Sequence, residues 1–262
     1  MIFLGNQAVG VAAFNGLPTN IPKVDDNNAY VYLYLPNADD LGVRIYIVSS
    51  GASSGTYNVT WGDGTSETAG NSNYIEHTFS DSGVYTVKLV ITSGTPKLGG
   101  SGNTLLIGGS SAQERPQAAK LIGLETGTWG VYSNQFTAYS NVVAIYAKKA
   151  SYLGYNAIVS AGAKLLRTIE MPDITTKLTN SNFQECYSLG SVTIPTAVTS
   201  LGSAFTSCGK LSIHMLASSP PTLTSSSAFN NTDITIYVPT GSLSAYQAAE
   251  NWSAYADKMV EE

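Results

Sequence analysis

Between Lys164 and Pro239 one phrase returns about every 22 residues: an aromatic, a gap, a Cys, a gap, a Leu, a short apolar strand and a Pro. Phe183, Cys186 and Leu189 recur as Phe205, Cys208 and Leu211, each 22 residues on. Leu166, Ile169, Met171 and Pro172 form an earlier copy, and Phe229 followed by Ile234, Ile236, Val238 and Pro239 a later one. A unit of one strand and one turn cannot bury its apolar face alone, so repeats of this length stack into a solenoid and share a core between rungs. Traced further back, the opening apolar residue falls at 136, 158, 183, 205 and 229, which predicts five rungs.

The rung strands align as Ile145-Tyr146-Ala147, Ile169-Glu170-Met171, Val192-Thr193-Ile194, Ile213-His214-Met215 and Ile236-Tyr237-Val238. A strand with one buried face has period 2, so the flanking residues enter the core and the middle ones point out. Tyr146, Glu170, Thr193, His214 and Tyr237 therefore form one outward column, the candidate ligand-binding strip. Any solenoid carries such a column for solubility. This one holds two Tyr, a Glu and a His, and exposed aromatics supply contact area at low entropic cost. Tyr132, Tyr139, Tyr146, Tyr152 and Tyr155 make a second aromatic patch in the weakest part of the repeat.

These repeats resemble the BspA-like leucine-rich repeat family from about Leu121 to the end, including a closing phrase from Ile236 to Tyr246 and from Trp252 to Lys258. The resemblance implies a binding or adhesion surface with no chemistry of its own. Ser242 reads as the N-cap of a helix from Leu243 to Glu250, and Tyr246, Trp252 and Tyr255 as the cover of the last rung, within a cap of about 240–262.

The N-terminal half reads differently. Tyr30 to Leu35, Val43 to Val48, Tyr57 to Trp61 and Val84 to Ile91 are strands at the spacing of a β-sandwich. Trp61-Gly62-Asp63-Gly64 and the phrase from His77 to Val87 resemble the PKD (polycystic kidney disease) domain family, which implies an immunoglobulin-like sandwich over 23–93. The chain has the shorter Trp-Gly-Asp-Gly form of the first motif. Asp63 reads as a turn residue, because a calcium site needs about six to eight oxygens and the segment has no spaced acidic set. His77 is expected to start a strand and bond a neighbouring turn.

Residues 94–114 are rich in Gly and Ser and read as a connector, with the island Leu105 to Ile107 expected to start the solenoid and cover its edge. Residues 1–22 read as a hairpin and a proline-bounded connector. Met1 to Phe14 is apolar but has no basic leader, and Gly5, Asn6 and Gln7 break the run, so neither a signal peptide nor a membrane span is expected. The opening is similar in composition to phage tail and fibre proteins. The two Cys hold the same place in consecutive rungs about 4.8 Å apart; buried thiols are expected, although the distance alone admits a disulfide.

The expected fold is thus mainly β: an N-terminal β segment, an immunoglobulin-like sandwich, and a capped leucine-rich-repeat solenoid over 115–262. With 43% hydrophobic and only 12% charged residues the chain is folded rather than disordered. Its 13 basic residues form no run, so a nucleic-acid partner is not expected. Two His far apart, and no nucleophile elbow, phosphate loop or Cys-x-x-Cys, propose neither an enzyme nor a metal or other cofactor. The acid pairs Asp25-Asp26, Asp39-Asp40 and Glu261-Glu262 read as solvated turns and a tail. The expectation is a structural or adhesion protein of a phage virion, contacting other virion proteins or a host surface protein or glycan, in several copies. The alternatives are a bacterial cell-surface adhesin and a carbohydrate-binding accessory module.

Overall fold

The computed structural model describes residues 2–4, 7–9, 21, 23–36, 41–48, 54–70, 74–99, 106–108, 120–131, 142–152, 163–178 and 182–262. A first hairpin pairs β1 (Ile2–Leu4) with β2 (Gln7–Val9), as expected of the opening. The sandwich follows with β3 (Ala29–Leu35), β4 (Gly42–Val48), β5 (Gly55–Thr60), β6 (Ser66–Gly70), β7 (Tyr74–Thr78), β8 (Gly83–Gly94), β9 (Lys97–Leu98) and β10 (Leu106–Gly108). Then come β11 (Lys120–Glu125), β12 (Gly130–Val131) and the five expected rung strands: β13 (Ala144–Tyr146), β14 (Thr168–Glu170), β16 (Ser191–Ile194), β18 (Gly209–Met215) and β20 (Thr232–Val238). Between them β15 (Lys177–Leu178), β17 (Ser200–Leu201) and β19 (Thr222–Leu223) build a second parallel sheet. Helix α1 (Leu243–Ala248), a 3-10 turn (Trp252–Lys258) and β21 (Met259–Glu261) close the array.

No break in the sheet separates sandwich from solenoid. One seven-stranded sheet runs β14-β13-β11-β3-β8-β5-β6. Its pivot is β11, antiparallel to β3 (Leu124 opposite Val31) and parallel to β13 (Leu124 opposite Ile145). The second sandwich sheet also reaches across, through β9 parallel to β12. One apolar core accordingly extends from Val31 and Trp61 through Trp129 and Leu166 to Trp252. The island expected to begin the solenoid does not do so. Leu106 and Ile107 lie in β10, antiparallel to β4, where they complete the second sandwich sheet; Leu105 lies outside the described residues. The edge-covering place goes to β11, which can pair on both sides at once.

A smaller core lies on the outer face of this sheet. The run from Tyr30 to Leu35 is apolar on both faces, which signals a strand covered on both sides. Tyr30, Tyr32, Ile122, Val143, Ala144 and Tyr146 gather there beneath Ile21. Gly123 makes the seat, since a Cβ in its place would stand 3.0 Å from the Ile21 side chain.

Inside the solenoid the repeated positions stack. Phe183, Phe205 and Phe229 form a ladder with centroids 5.2 and 6.5 Å apart, and Trp252 continues it at 6.2 Å. Two residues after each Phe the backbone turns left-handed, at Glu185, Ser207 and Asn231 (φ 61°, 61° and 56°). The next residue is Cys186, Cys208 or Thr232. The cap then meets the last rung's exposed backbone as a solenoid end requires. Tyr246 Oη donates to the Ala217 carbonyl (2.7 Å), Trp252 Nε1 to Pro221 (2.8 Å), Asn251 Nδ2 to Leu223 (2.8 Å) and Tyr255 Oη to Ser226 (2.7 Å).

Candidate functional site

The predicted column divides in two. In register, Tyr146 stands opposite Glu170, while Thr193, His214 and Tyr237 follow one another across β16, β18 and β20. Among the described residues no ladder pairs β14 with β16. The inner residues on either side of each position are buried as expected.

The first half of the column is not available as a strip. Tyr146 is only 9% exposed, and its hydroxyl donates to the Ile21 carbonyl at 2.7 Å. Glu170 is paired with Lys23 (2.8 Å). Ile21 and the segment 23–28 lie on the outer face as a strap, and Glu125 of β11 holds it down by accepting the backbone N–H of Val24 (2.8 Å) and of Asp25 (2.6 Å). Lys149 reaches the Asp25 carboxylate at 3.1 Å, and Asp26 accepts the Tyr30 hydroxyl at 2.7 Å. Burial raises the Glu125 carboxyl above the usual glutamate range against the lowering effect of its two N–H donors. Tyr146 is thus a strap anchor, and the strap covers it because its side chain belongs to the outer core.

The second half is open. Thr193 is exposed and His214 and Tyr237 half-buried, with the two rings stacked 4.6 Å apart at 5°. Stacking between strands leaves ring edges, rather than faces, toward solvent. His214 Nδ1 lies 2.9 Å from Glu262 Oε2. Val260, 46% exposed, stands opposite Tyr237 on the next strand, and Ser191, Ser212 and Thr235 align in a hydroxyl row beside these residues. Glu262 belongs to the acid pair Glu261-Glu262 that reads as a solvated tail. In the structure the pair ends the last strand, with Glu262 N–H on the Val238 carbonyl (3.0 Å) and Glu261 Oε1 accepting from Gly241 and Leu243 N–H (3.0 and 3.3 Å). Ser242 holds the N-cap position without a side-chain capping bond; Glu261 takes that role. Of the second aromatic patch, Tyr132, Tyr139 and Tyr155 lie outside the described residues, and Tyr152 is 42% exposed.

The turn at Trp61 behaves as its residues dictate. Gly62 and Gly64 take φ of 87° and 95°, and Asp63 Oδ1 accepts the Thr65 N–H (2.9 Å) and hydroxyl (2.6 Å). His77 lies near the end of β7, not its start, and sits flat on Trp61 with Nε2 2.6 Å from Asp63 Oδ2. Burial opposes ionisation of Asp63, but the Thr65 and His77 bonds outweigh it and hold the carboxyl down to about 2. This is an Asp–His pair whose other neighbours are Trp61 and Phe79. Cys186 and Cys208 are buried thiols with no disulfide between them, and burial pushes them up to about 12 and 11. Among the described residues no group of three His, Cys, Asp or Glu is arranged to hold a metal, and no described helix is long and apolar enough to cross a membrane.

A continuous sheet, a Trp-Gly-Asp-Gly turn within a sandwich and a stacked Phe ladder can now be set beside known families. The family model for the BspA type leucine rich repeat region matches residues 132–248 in 6 copies, and the PKD domain model matches residues 47–103. The chain carries a PKD domain followed by a BspA-type leucine-rich repeat region. Comparison with curated proteins and with solved structures gives no match. The PKD match begins inside β4, yet β3 pairs fully with β8 and so belongs to the same sandwich. PKD and BspA-type repeat domains in one chain point to a surface or adhesion-type protein.

Proposed function

We propose that this chain is a non-enzymatic attachment protein that grips a surface protein or glycan through the open half of its rung column, Thr193, His214 and Tyr237. The observation that carries this reading is the contrast within the column. The strap occupies Tyr146 and Glu170, whereas the three later positions lie beyond the strap and present a hydroxyl and a stacked ring pair on adjacent strands, with the Glu262 carboxylate bonded to the His214 ring. Aromatic edges beside hydroxyls give polar and apolar contacts at low entropic cost. The test is adsorption of the labelled full chain to a panel of purified bacterial envelopes. Replacing His214 and Tyr237 together by Ala should lower adsorption at least about tenfold with the melting temperature nearly unchanged; undiminished adsorption overturns the reading.

The setting we propose is a phage virion. Its support is the N-terminal segment, whose composition is similar to phage tail and fibre proteins and whose β1–β2 hairpin forms a sheet of its own. In this setting residues 1–20 join copies to one another or to other virion proteins. Light scattering on the full chain and on a chain beginning at Ile21 tests it: an oligomer that becomes a folded monomer supports the virion setting, and two monomers favour a bacterial cell-surface adhesin.

A further inference from the structure

Lys97 of the PKD sandwich and Tyr152 of the first rung meet over Gly130. Lys97 Nζ stands 3.8 Å from the centroid of the Tyr152 ring. Gly130 lies opposite Lys97 in the β9–β12 pair, and a Cβ there would come within 2.9 Å of Tyr152 Cβ and 3.0 Å of Lys97 Cγ. The absence of a side chain is what lets the two approach. Both are held by backbone: Lys97 pairs with Val48 and Gly130, and the Tyr152 carbonyl accepts the Val131 N–H at 2.8 Å. Beside them opens a groove of about 430 Å³ with Thr128 and Ser151 on its rim, within the range of small-molecule sites, about 300 to 1,000 Å³.

Among the described residues no carboxylate is paired with Lys97. The other described Lys ion pairs are made by Lys23, Lys149 and Lys258, and none involves Lys97. Its partner among the described residues is the Tyr152 ring, and a cation over an exposed ring is held only weakly. A ligand anion can therefore take it over at small cost. Thr128 and Ser151 are exposed, and the Thr128 hydroxyl, donating to the Asn27 carbonyl at 3.1 Å, keeps its acceptor capacity.

We propose that this groove is a subsite for an acidic saccharide unit of the hexuronate type. The carboxylate sits on Lys97 Nζ, an apolar C–H face of the sugar lies along Tyr152, and ring hydroxyls bond Ser151 and Thr128. Among the described residues that line the groove there is one Lys and no Arg, which suits a single carboxylate better than a phosphate, recognised by several donors. The subsite lies apart from the rung column and does not rest on it.

Titration calorimetry of the full chain at low salt tests this, with a galacturonate tetramer in one arm and its methyl-esterified, uncharged form in the other. The acidic tetramer should bind, and the ester at least about tenfold more weakly. Lys97→Gln should erase that preference, and Tyr152→Ala should weaken both ligands, with melting temperatures close to the parent because both side chains reach solvent. No binding by the parent, equal affinity for the two tetramers, or a preference that survives Lys97→Gln overturns the assignment.

Discussion

The Cys208 thiol lies 2.9 Å from the carbonyl oxygen of Phe183 in the preceding rung, so a thiol that looks like apolar filler acts as a stitch between turns of the solenoid. One rung later Thr232 occupies the equivalent place and donates its hydroxyl to the Phe205 carbonyl at 2.7 Å. Cys208→Ser should therefore be nearly neutral. Cys208→Ala, which strands a buried carbonyl, should cost about 1–2 kcal/mol. Urea melts of the two variants separate these outcomes, and equal losses would show that the slot is filled for volume alone.

Glu125 gives the strap a pH dependence of definite sign. Burial weakens its acidity in the folded state, so its carboxyl lies above the ordinary glutamate value. The stability it contributes is full below the unfolded value and declines as pH rises through the higher folded one. Glu125→Gln, which keeps one acceptor oxygen and removes the buried charge, should flatten that decline. The measurement is the melting temperature between about pH 4 and 7, parent against variant; parallel curves would refute the account.

Asp63 acts in the opposite direction. Its carboxyl is depressed from 3.8 to about 2, so its contribution is present above the unfolded value and is lost as pH falls through the folded one. Asp63→Asn should lower stability at neutral pH and blunt acid unfolding. The change should also break the bond between His77 Nε2 and Asp63, and the imidazole resonances of His77 should differ from the parent's in NMR spectra recorded at one fixed pH.

Because β11 pairs with β3, the repeat region should not fold well by itself. A chain starting at Lys120 would leave the β11 edge unpaired and uncover Trp129, which packs edge-on against Tyr57 at 5.4 Å. An exposed apolar strand edge is an aggregation template. Such a chain should aggregate or melt without a sharp transition, and a soluble, cooperative monomer would overturn the idea that the sandwich is the solenoid's first cap.

The rungs are legible because Phe183, Cys186 and Leu189 return 22 residues on as Phe205, Cys208 and Leu211, and stacking requires like residues in like places even where the step drifts to 24, as from Phe205 to Phe229. The exposure of Tyr146 was not legible. The segment that covers it lies 125 residues away in sequence at Ile21, and nothing in the rung pattern records a visitor from outside the repeat. Leu106 and Ile107 misled for a related reason: an apolar triplet states that it will be covered, not by which sheet. The double-sided apolar run from Tyr30 to Leu35 was the one local hint of an outer core. Glu261 and Glu262 looked like a tail because their partners, the Gly241 and Leu243 amides and His214, are fixed only once the cap has folded back.

The continuous sheet has a mechanical meaning. Modules joined by a loose tether respond to tension by swinging and straightening. Here the load path passes through the ladder from Lys120 opposite Tyr34 to Glu125 opposite Tyr30, and in parallel through Lys97 and Leu98 opposite Gly130 and Val131. Pulling the two halves apart loads these inter-strand hydrogen bonds together along their own direction instead of opening a hinge. The later rungs, whose sheet β16-β18-β20-β21 carries His214 and Tyr237, join this path through the shared apolar core, so a tug on them reaches the sandwich by side-chain packing first and by the ladder after it.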